Sequence, residues 1–128
     1  MIERFRSEAT RAMGLPFADA VRVGETLYVS GQLGHVPGRL ELVPGGIRAE
    51  ARQALANLKA VLERSGSSLE HVVKCTIFLA DMGEWRAFNE VYLEFFGESL
   101  PARSALGANG LALGARVELE CVAVVGPR

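Results

Sequence analysis

Apolar and polar positions alternate along residues 20–23 (Ala-Val-Arg-Val) and 26–33 (Thr-Leu-Tyr-Val-Ser-Gly-Gln-Leu), the period of β-strands. Gly24-Glu25 separates the two runs, and Gly-X between β-rich segments predicts a type II′ hairpin. In the second run a strict period of two puts Leu27, Val29, Gly31 and Leu33 on one face, with Tyr28, Ser30 and Gln32 on the other. Residues 34–46 contain Pro37, Gly38 and Pro44 and read as a loop with room for a short strand at 40–43. The period then lengthens. Ile47, Ala51, Leu55, Leu58 and Leu62 recur at helical spacing, and Ser65-Gly66 stands in the C-cap position. Residues 72–79 are β-rich and largely apolar in both parities, which predicts an interior strand. A second helix is predicted over about 84–96, with Trp85, Phe88, Tyr92 and Phe95 on one face. Asp81 and Glu84 have capping-box spacing, and Gly97 would end the helix. Residues 101–114 are mixed, with a short strand in the first half. Residues 116–125 alternate cleanly: Val117, Leu119, Cys121, Ala123 and Val125 against Glu118, Glu120, Val122 and Val124.

The order β-β-(β)-α-β-α-(β)-β predicts one α+β domain over residues 1–128, with both helices on the same face of the sheet. The opposite face carries Glu118 and Glu120 but also Val122 and Val124. Tyr28, Ser30, Val72, Thr76 and Phe78 have matching parity. A half-apolar face with no helix left to cover it calls for a partner, and a symmetric homo-oligomer is the economical one.

Composition narrows the classes. With 49% hydrophobic and 23% charged residues the chain can build a core, which excludes a mainly disordered protein. The 14 basic residues are scattered among 15 acidic ones, leaving no stripe for nucleic acid. The N-terminus lacks the basic-then-apolar pattern of a secretory signal, and no run approaches the ~20 apolar residues of a membrane span, so a cytoplasmic location is expected. Cys75 and Cys121 lie in strand-like apolar runs and read as reduced, buried packing residues.

Little chemistry survives inspection. His35 and His71 have no ligand partners at metal-binding spacing. No nucleophile elbow surrounds a serine, and Gly107, Gly110 and Gly114 are too irregular for a dinucleotide fingerprint. Arg103 and Glu118 remain. A lone arginine is most often solvated or ion-paired, and Glu118 and Glu120 share a strand face, which is awkward unless one is paired or protonated.

Ala20–Gly24, Leu27–Gly34, Arg52–Leu62, Val72–Leu79, Phe88–Tyr92, Phe95-Phe96, Pro101-Ala-Arg-Ser104 and Val117–Glu120 together resemble the RidA/YjgF family, in its order and over about residues 14–125. The resemblance implies a chorismate-mutase-like α+β fold and a mixed sheet with two helices on one face. It also implies a homotrimer with a central β-barrel, with sites in clefts between subunits. The implied activity is hydrolysis of reactive 2-imino or 2-enamino acids to 2-keto acids and ammonia, with no metal or organic cofactor, nucleic acid or membrane partner. By position, Arg103 matches the arginine that grips the substrate carboxylate, and Glu118 matches the glutamate that positions or activates water. Phe17, Ser30, Gly31, Asn89 and Ala105 match substrate-binding positions.

The chain departs from the family pattern at Phe17, where tyrosine is frequent, at Ala105, where cysteine is frequent, and along 109–114. Phe17 cannot donate a hydroxyl hydrogen bond. That loss motivates the alternative expectation, a non-catalytic trimer that binds small carboxylate metabolites as a sensor or regulatory module. A ribonuclease or translation-inhibitor role, attached to some relatives, is opposed by the balanced charge.

Overall fold

The structure, a computed structural model, describes residues 1–125. Six strands form one mixed sheet: β1 (Ile2–Phe5), β2 (Ala20–Val23), β3 (Thr26–Leu33), β4 (Val72–Leu79), β5 (Ala102–Gly107) and β6 (Val117–Val124), in the order β1-β2-β3-β6-β4-β5. Only β4 and β5 are parallel, joined by a crossover helix. Three helices complete the fold: α1 (Glu8–Ala12), α2 (Gly46–Arg64) and α3 (Trp85–Phe96). The domain is α+β, as expected. No helix among the described residues is long and apolar enough to cross a membrane.

Periodicity located most elements to within a residue or two. The β2–β3 hairpin closes on Gly24 at φ +62, while Glu25 stays out of the left-handed region, the combination a type II′ turn requires. Helix α2 ends at Arg64 with Ser65 as its C-cap, followed by Gly66 at φ +88. Buried Leu55, Leu58 and Leu62 from α2, and Phe88, Val91 and Phe96 from α3, pack on Leu27, Val29, Cys75, Ile77, Leu119 and Cys121 of the sheet. Both long helices therefore cover one face.

Four expectations need correction. β1 and α1 were not anticipated: β1 is short and exposed apart from half-buried Phe5, carries no strong period, and is held by pairing with β2. The expected strand at 40–43 is a single bridge, His35 to Leu42. Asp81 does not cap α3 through a capping box. It accepts from the Gly83 amide in a 3₁₀ turn ahead of the helix, and the Glu84 carboxylate turns away to Arg116. Finally, two bulges break the assumed alternation.

In β3, Ser30 and Gly31 together oppose one residue of β6, between the pairs Val29–Cys121 and Gln32–Leu119. Gln32, not Gly31, therefore joins Leu27 and Val29 on the helix-covered face, where it is buried. Gly31 and Leu33 turn to the open face. A second bulge in β4, between Val72 and Lys74, buries Val72 in the core and leaves Val73 exposed. Val72 therefore does not lie on the open face.

Beyond the first bulge, β3 runs hard against α2. A Cβ on Gly34 would lie 2.5 Å from the Glu50 carbonyl oxygen and 2.7 Å from its Cα. Buried Asn57 of α2 donates to the Leu33 and His35 carbonyls at 2.9 and 3.1 Å, and buried Glu50 accepts from the Arg116 amide at 2.9 Å. Backbone cannot yield here as a side-chain tip would. Gly34→Ala is expected to lower the melting midpoint by roughly 5–10 °C, as read by thermal denaturation.

Candidate active site

Strand pairing decides which candidate side chains can meet. Arg103 of β5 pairs with Cys75, which also pairs with Cys121. Both cysteines are buried among the core residues, so Arg103 lies on the helix-covered side, at the outer edge of the sheet. Glu118 pairs with Phe78 and Leu33 and lies on the open side. Within one chain the two candidate catalytic residues occupy opposite faces.

Arg103 is half-buried beside α3. Its guanidinium carbon lies 4.8 Å from the centre of the Tyr92 ring, 5.8 Å from Trp85 and 5.9 Å from Phe88. Arg39, Arg48, Arg52 and Arg116 all have carboxylate partners, whereas Arg103 has none among the described residues. Its immediate neighbours are neutral as well. Burial pushes the Cys75 thiol up to about 11 and holds the Tyr92 hydroxyl above its ordinary range. A guanidinium framed by aromatic faces, with no carboxylate partner among the described residues, keeps its fork of N–H donors available, and that fork matches a planar carboxylate.

Asn89 sits on the same helix, one residue beyond Phe88. Its Oδ1 is buried without a hydrogen-bond donor. Ala105 follows Arg103 by two on β5 and packs against the core with its methyl. β5 is an edge strand, so one side of its backbone has no strand partner among the described residues.

The second group is built around the β3 bulge. A Cβ on Gly31 would stand 2.0 Å from Glu118 Oε2 and 2.9 Å from its Cδ. The missing side chain at Gly31 is therefore the space in which the Glu118 carboxyl rests. Burial first, and the nearby Glu120 second, raise the Glu118 carboxyl above its ordinary value. Ser30 is committed within the chain: its hydroxyl donates to the Ala18 carbonyl at 2.6 Å and its amide to Asp19 at 3.0 Å. These bonds hold the Pro16–Ala18 loop against the bulge. Asp19 secures the other end, accepting from the Ser7 amide at 2.8 Å and from the Thr10 hydroxyl. Phe17 projects from this loop, 48% exposed.

The candidates thus fall into two groups, Phe17, Ser30, Gly31 and Glu118 at the bulge and Arg103 and Ala105 on β5, with Asn89 on the neighbouring helix α3. Trp85, Phe88 and Tyr92 belong with the second group and were not anticipated there. Their stripe along α3 is visible in sequence, but an aromatic stripe at helical spacing reads as core, and its meeting with Arg103 is a tertiary fact. Among the described residues no three His, Cys, Asp or Glu side chains converge as metal ligands would.

Comparison with known proteins agrees with this architecture. A family model described as endoribonuclease L-PSP matches residues 8–125. A mouse protein named 2-iminobutanoate/2-iminopropanoate deaminase is 46% identical over 121 residues, 94% of this chain and 89% of its own length. The structure of YEO7 from yeast has a TM-score of 0.92 at 36% identity, covering 98% of this chain and all of that one. E. coli TdcF, solved with bound serine, gives 0.81 at 32% identity, covering 87% of this chain and 89% of its own. With the family model matching residues 8–125 and a relative 46% identical over 94% of its length, the chain belongs to the RidA/YjgF family.

Proposed function

We propose that this chain is a cofactor-independent deaminase that hydrolyses 2-imino and 2-enamino acids to 2-keto acids and ammonia in clefts between the subunits of a cytoplasmic homotrimer. The observation that carries it is Arg103, a half-buried guanidinium with no carboxylate partner among the described residues. The opposite-face placement of Arg103 and Glu118 supports a shared site, because one copy's sheet edge can meet another copy's open face. That open face has what such an interface needs: Tyr28, Leu106 and Val124 are exposed on it and Phe78 and Val122 are half-buried. The relatives named as iminobutanoate and iminopropanoate deaminases support the reaction class, and a serine-bound relative supports a small carboxylate-bearing ligand. Two buried free thiols suit a reducing compartment.

In this reaction Arg103 holds the substrate carboxylate through two parallel hydrogen bonds and so fixes the position of the imine carbon. A neighbouring subunit's Glu118 takes a proton from water as its oxygen adds to that carbon, forming a carbinolamine. The imine enters protonated on nitrogen, and return of the proton from Glu118 to the carbinolamine nitrogen makes it a leaving group. As the C–N bond breaks the hydroxyl gives its proton to the Glu118 carboxylate, leaving a keto acid and ammonia; an enamine enters after tautomerising to the imine. Ser30 and Asp19 position the Phe17 loop as an apolar wall, and Asn89 Oδ1, without a partner among the described residues, offers an acceptor on α3.

The test is release of ammonia and keto acid from an imine generated in situ. Wild-type protein is expected to accelerate it well beyond an Arg103→Ala control, and equal rates would overturn the proposal. Phe17 lacks the hydroxyl of the tyrosine frequent at this position, which motivates the alternative: tight keto-acid binding without turnover would mark the chain as a carboxylate-binding module. Salt-dependent RNA binding would instead support the nuclease implied by the family model's description.

A further inference from the structure

A neighbouring carboxylate can hold a guanidinium in place through charge-assisted hydrogen bonds, yet none accompanies Arg103 among the described residues. Three ring faces take that place, Tyr92 nearest at 4.8 Å. Tyr92 is itself fixed from both sides, its ring centre 5.7 Å from Phe88 and 4.6 Å from Phe96. Its hydroxyl lies by the Cys75 thiol and is buried with no hydrogen-bond partner among the described residues. The ring, not the hydroxyl, is what this residue offers.

We propose that Tyr92, flanked by Trp85 and Phe88, is a positioning residue that seats the flat face of Arg103 and leaves its in-plane N–H edge free for the substrate carboxylate. A π face attracts the cation without occupying its hydrogen-bond donors, as a carboxylate would. It also adds no negative charge to repel the incoming anion. The inference rests on the anchor role proposed for Arg103.

The probe is 2-oxobutanoate, a stable keto acid, with binding followed by calorimetry and by the fluorescence of Trp85, the one tryptophan in the chain. KM and kcat for imine hydrolysis are measured alongside. Tyr92→Phe keeps the ring and should bind within about twofold of wild type. Tyr92→Leu should raise Kd and KM by ~10-fold, with kcat changing less than about threefold. Phe96→Leu removes comparable packing from the same helix but no ring over the guanidinium, and should leave Kd near the wild-type value. Trp85→Leu alters a partly exposed ring and should raise the calorimetric Kd about threefold. Wild-type affinity in Tyr92→Leu, or equal weakening by Phe96→Leu, overturns the seat. Should Tyr92→Leu fail to fold, unchanged affinity in Trp85→Leu overturns it. If Arg103→Ala binds the keto acid normally, the anchor and its seat fall together. If Arg103→Ala loses binding while Tyr92→Leu keeps it, only the seat falls.

Discussion

Arg103→Ala is expected to reduce imine hydrolysis by roughly 30- to 1000-fold while leaving the far-ultraviolet circular dichroism unchanged. The size follows from what remains when the guanidinium is gone. A carboxylate brought into the site without its cation costs ~2–4 kcal/mol, and each ~1.4 kcal/mol is a factor of ten. The fold should survive because Arg103 supports no other charge among the described residues and makes no ion pair there. Arg103→Lys tests geometry apart from charge. An ammonium is a point donor that neither forks onto a carboxylate nor lies flat on Tyr92, so the variant should recover only a small part of the lost rate. Steady-state release of keto acid measures both. Full activity in either variant would show that the anion is held elsewhere.

Glu118→Gln should lower turnover by ~10²- to 10⁴-fold, the range of a lost general base. Gly31→Ala is the sharper companion because it leaves the carboxyl present and moves it. The added Cβ would fall 2.0 Å from Glu118 Oε2, the free end of a side chain that can swing away, and Gly31 has no positive φ to make alanine strained. The variant should fold and lose most activity. In the wild type the base must be ionised, so the rate should rise with pH through a midpoint above the ordinary 4.5, because burial and Glu120 raise this carboxyl. The same shift has a stability sign. Below the ordinary value the folded and unfolded chains are both protonated and the group costs nothing. As pH rises the unfolded chain ionises first, and stability is lost until the folded group has ionised too. Glu118→Gln removes that loss and should melt above wild type at pH 7, with the difference vanishing in acid. A lower melting midpoint at pH 7 would contradict the burial that places Glu118 in its seat.

Long elements with one continuous period were legible from the chain: the β2–β3 hairpin, α2, β4, α3 and β6, together with the shared helix-covered face. The short edge elements β1 and α1 were not, since their order comes from Asp19 and from pairing with β2. The bulges were hidden for a different reason. A period of two assumes regular pairing, and one extra residue reverses every side chain beyond it. That reversal moved Gln32 inward and brought Gly31 beside Glu118.

The chain's own order of residue types determined the class of fold and the uncovered sheet face, and it left Arg103 and Glu118 as candidates whose roles came from the family resemblance. Only tertiary structure decided that Arg103 stands on aromatic rings of a helix seven or more residues upstream, that Gly31 makes room for a carboxyl eighty-seven residues away, and that the two charged groups lie on opposite faces. The reason is physical. Local periodicity records which way a side chain points relative to its own strand or helix, but charge pairing, desolvation and close approach depend on neighbours set by sheet order and register, which no short window of sequence contains.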